Sequence, residues 1–119
     1  MTRSIHRHTV HGVAVDAETR CAHYHAAVDR IAIRFPCCGR FYPCLACHAA
    51  CADHAAERWP ADARDTPAVL CGACGTVLTI AAYLHTNHRC PHCHAAFNPG
   101  CAAHYDRYFA PLPNADRRF

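Results

Sequence analysis

Residues 71–93 read CGACGTVLTIAAYLHTNHRCPHC, a stretch framed by the pairs Cys71-x-x-Cys74 and Cys90-x-x-Cys93. A C-x-x-C turn brings both thiols to one point. A hairpin between two such turns closes a four-thiolate tetrahedron of the kind that holds structural zinc. Four thiolates also suit iron, so an iron–sulfur cluster is the main competing chemistry for this spacing. Isolated buried thiols are the plain structural alternative.

Towards the N-terminus the same residue types continue in an ordered series: Cys21-x-His23, Cys37-Cys38, Cys44-x-x-Cys47-His48 and His54. Together with the C-terminal four they make twelve donors, which fill three tetrahedral zinc sites with none left over. Cys44 and Cys47 must share a metal, because their turn converges both sulfurs. Cys21 and His23, two apart on an extended segment, point to one side and can join them. Cys37, Cys38, His48 and His54 remain for a second site; exchanging Cys37 or Cys38 between the two is the alternative. Cys47 and His48 then face different metals from adjacent positions.

Composition supports a metal-based fold. Eleven cysteines in 119 residues demand a covalent or metal explanation. The apolar share of 52% overstates the core, because it counts those cysteines and many alanines. Disulfides would need an oxidising compartment, and MTRSIHRHTV has no apolar signal-peptide region. No apolar run approaches the ~20 residues of a membrane span, and a cytoplasmic setting fits best. The formal charge is +3, but nine ligand thiolates remove nine charges and three Zn²⁺ return six, leaving zero. The arginines are also scattered, so no nucleic-acid partner is expected.

The remaining sequence suggests an N-terminal strand or arm over residues 1–15, with an edge strand at 5–15. A second strand is expected at 28–35, where Ile31, Ile33 and Phe35 share a face and Pro36 ends it. Alanine-rich residues 45–58 suggest a helix ended by Trp59-Pro60, and 60–67 read as a polar linker. Residues 76–84 read as a strand continuing into a hairpin or turn, residues 101–109 as helical, and 110–119 as a flexible tail. Tyr24, Phe41, Tyr42, Trp59, Tyr83 and Phe97 are expected to pack between the sites. His6, His8 and His11 read as exposed, with an N-terminal metal site as the alternative; His92 and His94 are also expected to be exposed. Cys51 reads as a bystander or substitute ligand on one helical face with His48 and His54. Cys101-x-x-His104 has ligand spacing and an open role.

Residues 16–109 resemble the CHY zinc-finger family. The carrying motifs are Cys21-Ala22-His23-Tyr24, Phe35-Pro36-Cys37-Cys38-Gly39, Tyr42-Pro43-Cys44-Leu45-Ala46-Cys47-His48 and His54. They continue with Cys71-Gly72-Ala73-Cys74, Cys90-Pro91-His92-Cys93 and Phe97-Asn98-Pro99-Gly100-Cys101. The resemblance implies three zinc ions bound through these positions. It also implies a small zinc-rich α+β fold: an irregular CHY-type module, with a two-zinc part at 16–59, plus a C-terminal zinc-ribbon-like four-cysteine hairpin at 68–109. One family branch fuses the module to a RING domain in ubiquitin ligases; no further cysteine/histidine array follows residue 104, so ligase activity is not expected here. A stand-alone branch assists small Tim chaperones in the mitochondrial intermembrane space and is linked to zinc handling and thiol oxidation. The Ala/Arg-rich coding and lack of a transit signal suggest a bacterial source.

Other metal chemistries fit less well. Cys44-x-x-Cys47-His48 and Cys90-x-x-Cys93-His94 match the c-type haem pattern, but dihaem attachment leaves seven cysteines unexplained, and the one Met is the initiator. A catalytic zinc needs an open position and a base, and neither His-x-Glu nor His-Glu-x-x-His occurs. The expectation is therefore a non-enzymatic protein with three structural zinc sites that serves an interaction with another protein. The alternative is a thiol-redox or zinc-handling protein that releases zinc on oxidation.

Overall fold

The structure is a computed structural model that describes residues 2–86, 88–98 and 108–110. Cys101 and His104, most of the helix expected at 101–109, and nearly all of the expected tail lie outside these residues.

The chain opens with a hairpin of β1 (Thr2–Ile5) and β2 (His8–His11), paired Ile5↔His8 to Thr2↔His11. This replaces the single edge strand expected at 5–15. The connection is His6-Arg7, with φ of 47° and 72°. Two left-handed residues are the geometry a two-residue hairpin turn requires. Asn-Gly or Asp-Gly would have signalled the turn; His-Arg does not.

Strand β3 (Ile31–Arg34) falls within the expected segment, and a two-residue strand β4 (Phe41–Tyr42) returns beside it. Next comes helix α1 (Leu45–Cys51), well short of the expected Trp59. Residues six apart on a continuous helix are turned about 600°, roughly a third of a circle out of line, and lie about 9 Å apart along the axis. The chain leaves the helix at Ala52, and the His54 ring comes to 4.9 Å from the His48 ring. Cys51 and His54 therefore do not share a helical face.

The segment expected as a linker holds a single 3₁₀ turn, Ala61–Ala63, and then runs directly into β5 (Pro67–Cys71). Pro67 stands at the first residue of the strand, the position a strand tolerates. β6 (Val77–Thr79) follows, then helix α2 (Ile80–Leu84) where a continuing strand was expected. The Thr79 hydroxyl accepts from the Ala82 N–H at 3.1 Å and caps this helix, which switches the chain from strand to helix at that point.

The six strands form one sheet in the order β1-β2-β4-β3-β5-β6, antiparallel except for β2 against β4. Strand alternation divides the core between the faces. Ile33, Tyr42 and Val69 join Phe35, Ile80, Tyr83 and Phe97 on the face that carries the buried cysteines. Their neighbours Ala32, Phe41 and Leu70 pack with Ile5 and Val10 on the other. Trp59 is held by its indole N–H, which donates to the Arg34 carbonyl at 2.6 Å, and by backbone pairing with residues 108–110. Tyr24, expected inside, is exposed at 42%. Among the described residues no helix is long and apolar enough to cross a membrane.

Candidate metal centres

Three turns of one design present most of the sulfur donors. In each, the first residue's N–H donates to the carbonyl five residues on, and the fifth residue's N–H returns to the first residue's carbonyl. The pairs are Cys71/Thr76 with Gly75/Cys71, Cys90/Ala95 with His94/Cys90, and Phe35/Arg40 with Gly39/Phe35. The fifth residue is left-handed in all three: Gly75 at φ 83°, His94 at 67° and Gly39 at 70°. In the first two turns cysteines occupy the first and fourth positions. In the third, Phe35 replaces the first cysteine, Cys38 holds the fourth position, and Cys37 adds a thiol beside it. The sequence signal for this common turn is the residue after the last cysteine, and Gly39 and Gly75 carry it openly.

The two C-x-x-C turns bring Cys71, Cys74, Cys90 and Cys93 together. Cys71 Sγ is 3.8 Å from Cys93 Sγ, and Cys74 Sγ is 3.8 Å from Cys90 Sγ. Close approach of the 16–20 loop to the first turn depends on Gly72, whose hydrogen faces the Glu18 carbonyl, leaving no space for a Cβ. That loop is tied by the Asp16 carboxylate, which accepts from the Glu18 and Arg20 N–H groups at 2.8 and 3.0 Å.

The loop delivers Cys21 to a second group with His23, Cys44 and Cys47. Cys21 Sγ lies 3.7 Å from Cys44 Sγ, and His23 Nδ1 lies 3.4 Å from both Cys44 Sγ and Cys47 Sγ. Cys44 also caps α1, its sulfur accepting from the Cys47 N–H at 3.3 Å. The third group is Cys37 and Cys38 from the 35–40 turn, His48 from α1 and His54 from the segment beyond it. His48 is buried beneath the Phe35 ring, and its Nε2 is 3.3 Å from Cys37 Sγ. Asp53 takes the Nδ1 of His54 at 2.9 Å, a second-layer contact that leaves Nε2 as the free nitrogen.

In each group the donor atoms lie within 4.8 Å of one another. Thiolates at ~2.3 Å and imidazoles at ~2.0 Å from one tetrahedral ion sit about 3.8 Å apart as sulfur pairs and about 3.5 Å apart as sulfur–nitrogen pairs. The pair distances given above, 3.3 to 3.8 Å, fall close to those edges. They are far longer than the ~2.05 Å of a disulfide, and all ten described cysteines are free.

The electrostatics also call for a cation. Hydrogen bonds from Cys44 and Cys47 hold the Cys21 thiol far below its ordinary value, whereas hydrogen bonding to Cys21 drives Cys44 up and Cys47 to about 11. Three thiolates crowded into this buried space would repel one another and need a compensating positive charge. Burial pushes Cys71 up, while at Cys74 burial is outweighed by hydrogen bonds with Thr76, Cys71 and Cys93 together, which bring it to about 6. Burial, then repulsion by His54, lowers His48 and keeps it in the neutral, metal-binding form.

His6, His8 and His11 do not gather; His8 and His11 pack on Phe41 and Tyr42, while His6 Nε2 lies 3.2 Å from the Gly72 carbonyl. His92 and His94 are exposed and Cys51 is half-buried. Asp53 escaped the sequence reading, although its place directly before His54 was a usable signal.

A small sheet carrying three tight groups of thiol and imidazole donors defines a zinc-finger protein. The family model described as CHY zinc finger matches residues 21–83, and the chain belongs to that family. Cys90 and Cys93 lie beyond the matched residues. Helper of Tim protein 13 of Kluyveromyces lactis is 43% identical over 100 residues, covering 84% of this chain and 87% of the relative. Helper of Tim protein 13 of Saccharomyces cerevisiae is 39% identical over 109 residues, covering 89% and 94%. An uncharacterized Schizosaccharomyces pombe protein is 42% identical over 100 residues, covering 84% and 88%. No solved structure matches the chain.

Proposed function

We propose that the three groups each hold one Zn²⁺, with Cys21, His23, Cys44 and Cys47 as one ligand set. Cys37, Cys38, His48 and His54 form the second, and Cys71, Cys74, Cys90 and Cys93 the third. The observation that carries this reading is the match between the donor separations and the edges of a zinc tetrahedron. Four protein donors per ion leave no open position for water, so the sites are structural and the protein is non-catalytic. When bound, zinc supplies cross-links and positive charge. The chain's own residues supply the thiolates, the N–H groups that face them and the second-layer contact of Asp53.

Its service is to another protein. Support comes from two relatives that align over most of this chain and carry the name of a helper of a Tim protein. A zinc-handling role suits a protein whose fold is cross-linked by thiolate–metal bonds. Metal analysis of the full chain tests the first part, and capture of clients by the zinc-loaded chain against a zinc-stripped control tests the second. Clients retained equally by both forms would sink the dependence on zinc.

A further inference from the structure

We infer that the Cys37/Cys38/His48/His54 group is the exchangeable site, passing its zinc to an incoming thiol or imidazole ligand while the other two stay loaded. The inference rests on the zinc reading above and assigns different tasks to the three groups.

The burial of the donors separates them. Cys21, Cys44 and Cys47 are at most 2% exposed; in the four-cysteine group Cys71 and Cys90 are fully buried and anchor the half-buried Cys74 and Cys93. In the remaining group only His48 is buried, both cysteines are half-buried, and the His54 side chain is 32% exposed. His23 is exposed as well, but the three sulfurs it meets are not, so an incoming ligand there finds only one accessible donor.

The elements carrying the donors differ too. Cys71 closes an internal strand and Cys21 follows a loop tied by a network of hydrogen bonds around Asp16 and Arg20. His54 stands outside α1 on a segment with no helix or strand from Ala52 to Arg58. Its contacts are with Asp53, which is fully exposed, with Cys38 and with the His48 ring at 4.9 Å, and none of them is a backbone hydrogen bond of a helix or strand. His54 can therefore swing away without breaking a sheet or helix hydrogen bond, and this opens one coordination position for a competing donor. In the exchange no electron moves. An incoming thiol gives up its proton as it takes the metal, an incoming neutral imidazole gives up none, and the Cys37 and Cys38 thiolates left behind take protons from water.

The test is a release time course on the full-length, zinc-loaded protein with the chelator 4-(2-pyridylazo)resorcinol, followed by native mass spectrometry. Brief iodoacetamide labelling at each time maps the cysteines that become reactive. We expect one zinc to leave in a separate early phase, producing a two-zinc species labelled at Cys37 and Cys38 but protected at Cys21, Cys44, Cys47, Cys71, Cys74, Cys90 and Cys93. Asp53→Asn, a change on a fully exposed side chain, should weaken retention of that one ion by roughly tenfold or more. Release of all zinc in one phase, or early labelling of either other group, overturns the inference while leaving three-zinc binding intact. A chain that takes up no zinc at all overturns the parent reading and this inference together.

Discussion

Cys47 and His48 are adjacent in α1 yet face different clusters: Cys47 Sγ lies 3.4 Å from His23 Nδ1, and His48 Nε2 lies 3.3 Å from Cys37 Sγ. Successive helical residues point about 100° apart, so one turn of helix can serve two groups. The link is unequal. Cys44 both caps α1 and belongs to the first group, so that group fixes the helix that presents His48. Nothing in the first group depends on His54.

Loss should therefore propagate in one direction. Cys47→Ala is expected to release zinc from its own group and from the one containing His48, whereas His54→Ala should release only one ion. Native mass spectrometry of both variants checks this. Loss of a single ion from Cys47→Ala would show the helix to be held by something other than its metal.

The shared turn design makes opposite predictions at two equivalent positions. Gly75→Ala places a side chain at φ 83° and against the His6 side chain. It should cost about 1–2 kcal/mol or more. His94 already carries the left-handed cost at φ 67°, so His94→Gly should raise stability by about 1 kcal/mol. Urea denaturation of zinc-loaded proteins measures both, and equal signs would contradict the equivalence of the turns.

Trp59→Phe removes the indole N–H that reaches the Arg34 carbonyl at 2.6 Å. Loss of that bond with the ring largely retained should cost about 1–2 kcal/mol. Far-UV circular dichroism is the readout, because the variant lacks the one tryptophan. A change near zero would mean that Trp59 contributes only by packing.

The candidate site was more legible than the fold. A C-x-x-C pair constrains its own sulfurs, so spacing groups Cys44 with Cys47 and the four C-terminal cysteines. Cys37, Cys38, His48 and His54 fall together only by elimination, and it is the structure that brings those four side chains to one place. The fold depends on features that carry weak local signals. His6-Arg7 makes a hairpin turn without turn-type residues. Pro67–Cys71 is a fully internal strand whose apolar run, Ala68-Val69-Leu70, is too short to stand out beside a polar segment. Alanine propensity favoured a helix past Cys51, but His54 packs against His48 and Cys38 only because the helix stops. Thr79 reads as a strand residue until its hydroxyl is seen capping α2.

The central claim is that three four-residue groups each hold one zinc ion. It is tested most directly by counting the zinc retained by the full chain after refolding with a slight excess of Zn²⁺ and desalting, using native mass spectrometry. The account predicts three Zn²⁺ per chain, one for each group. Two or fewer, or a mass that fits an iron–sulfur cluster, would contradict it.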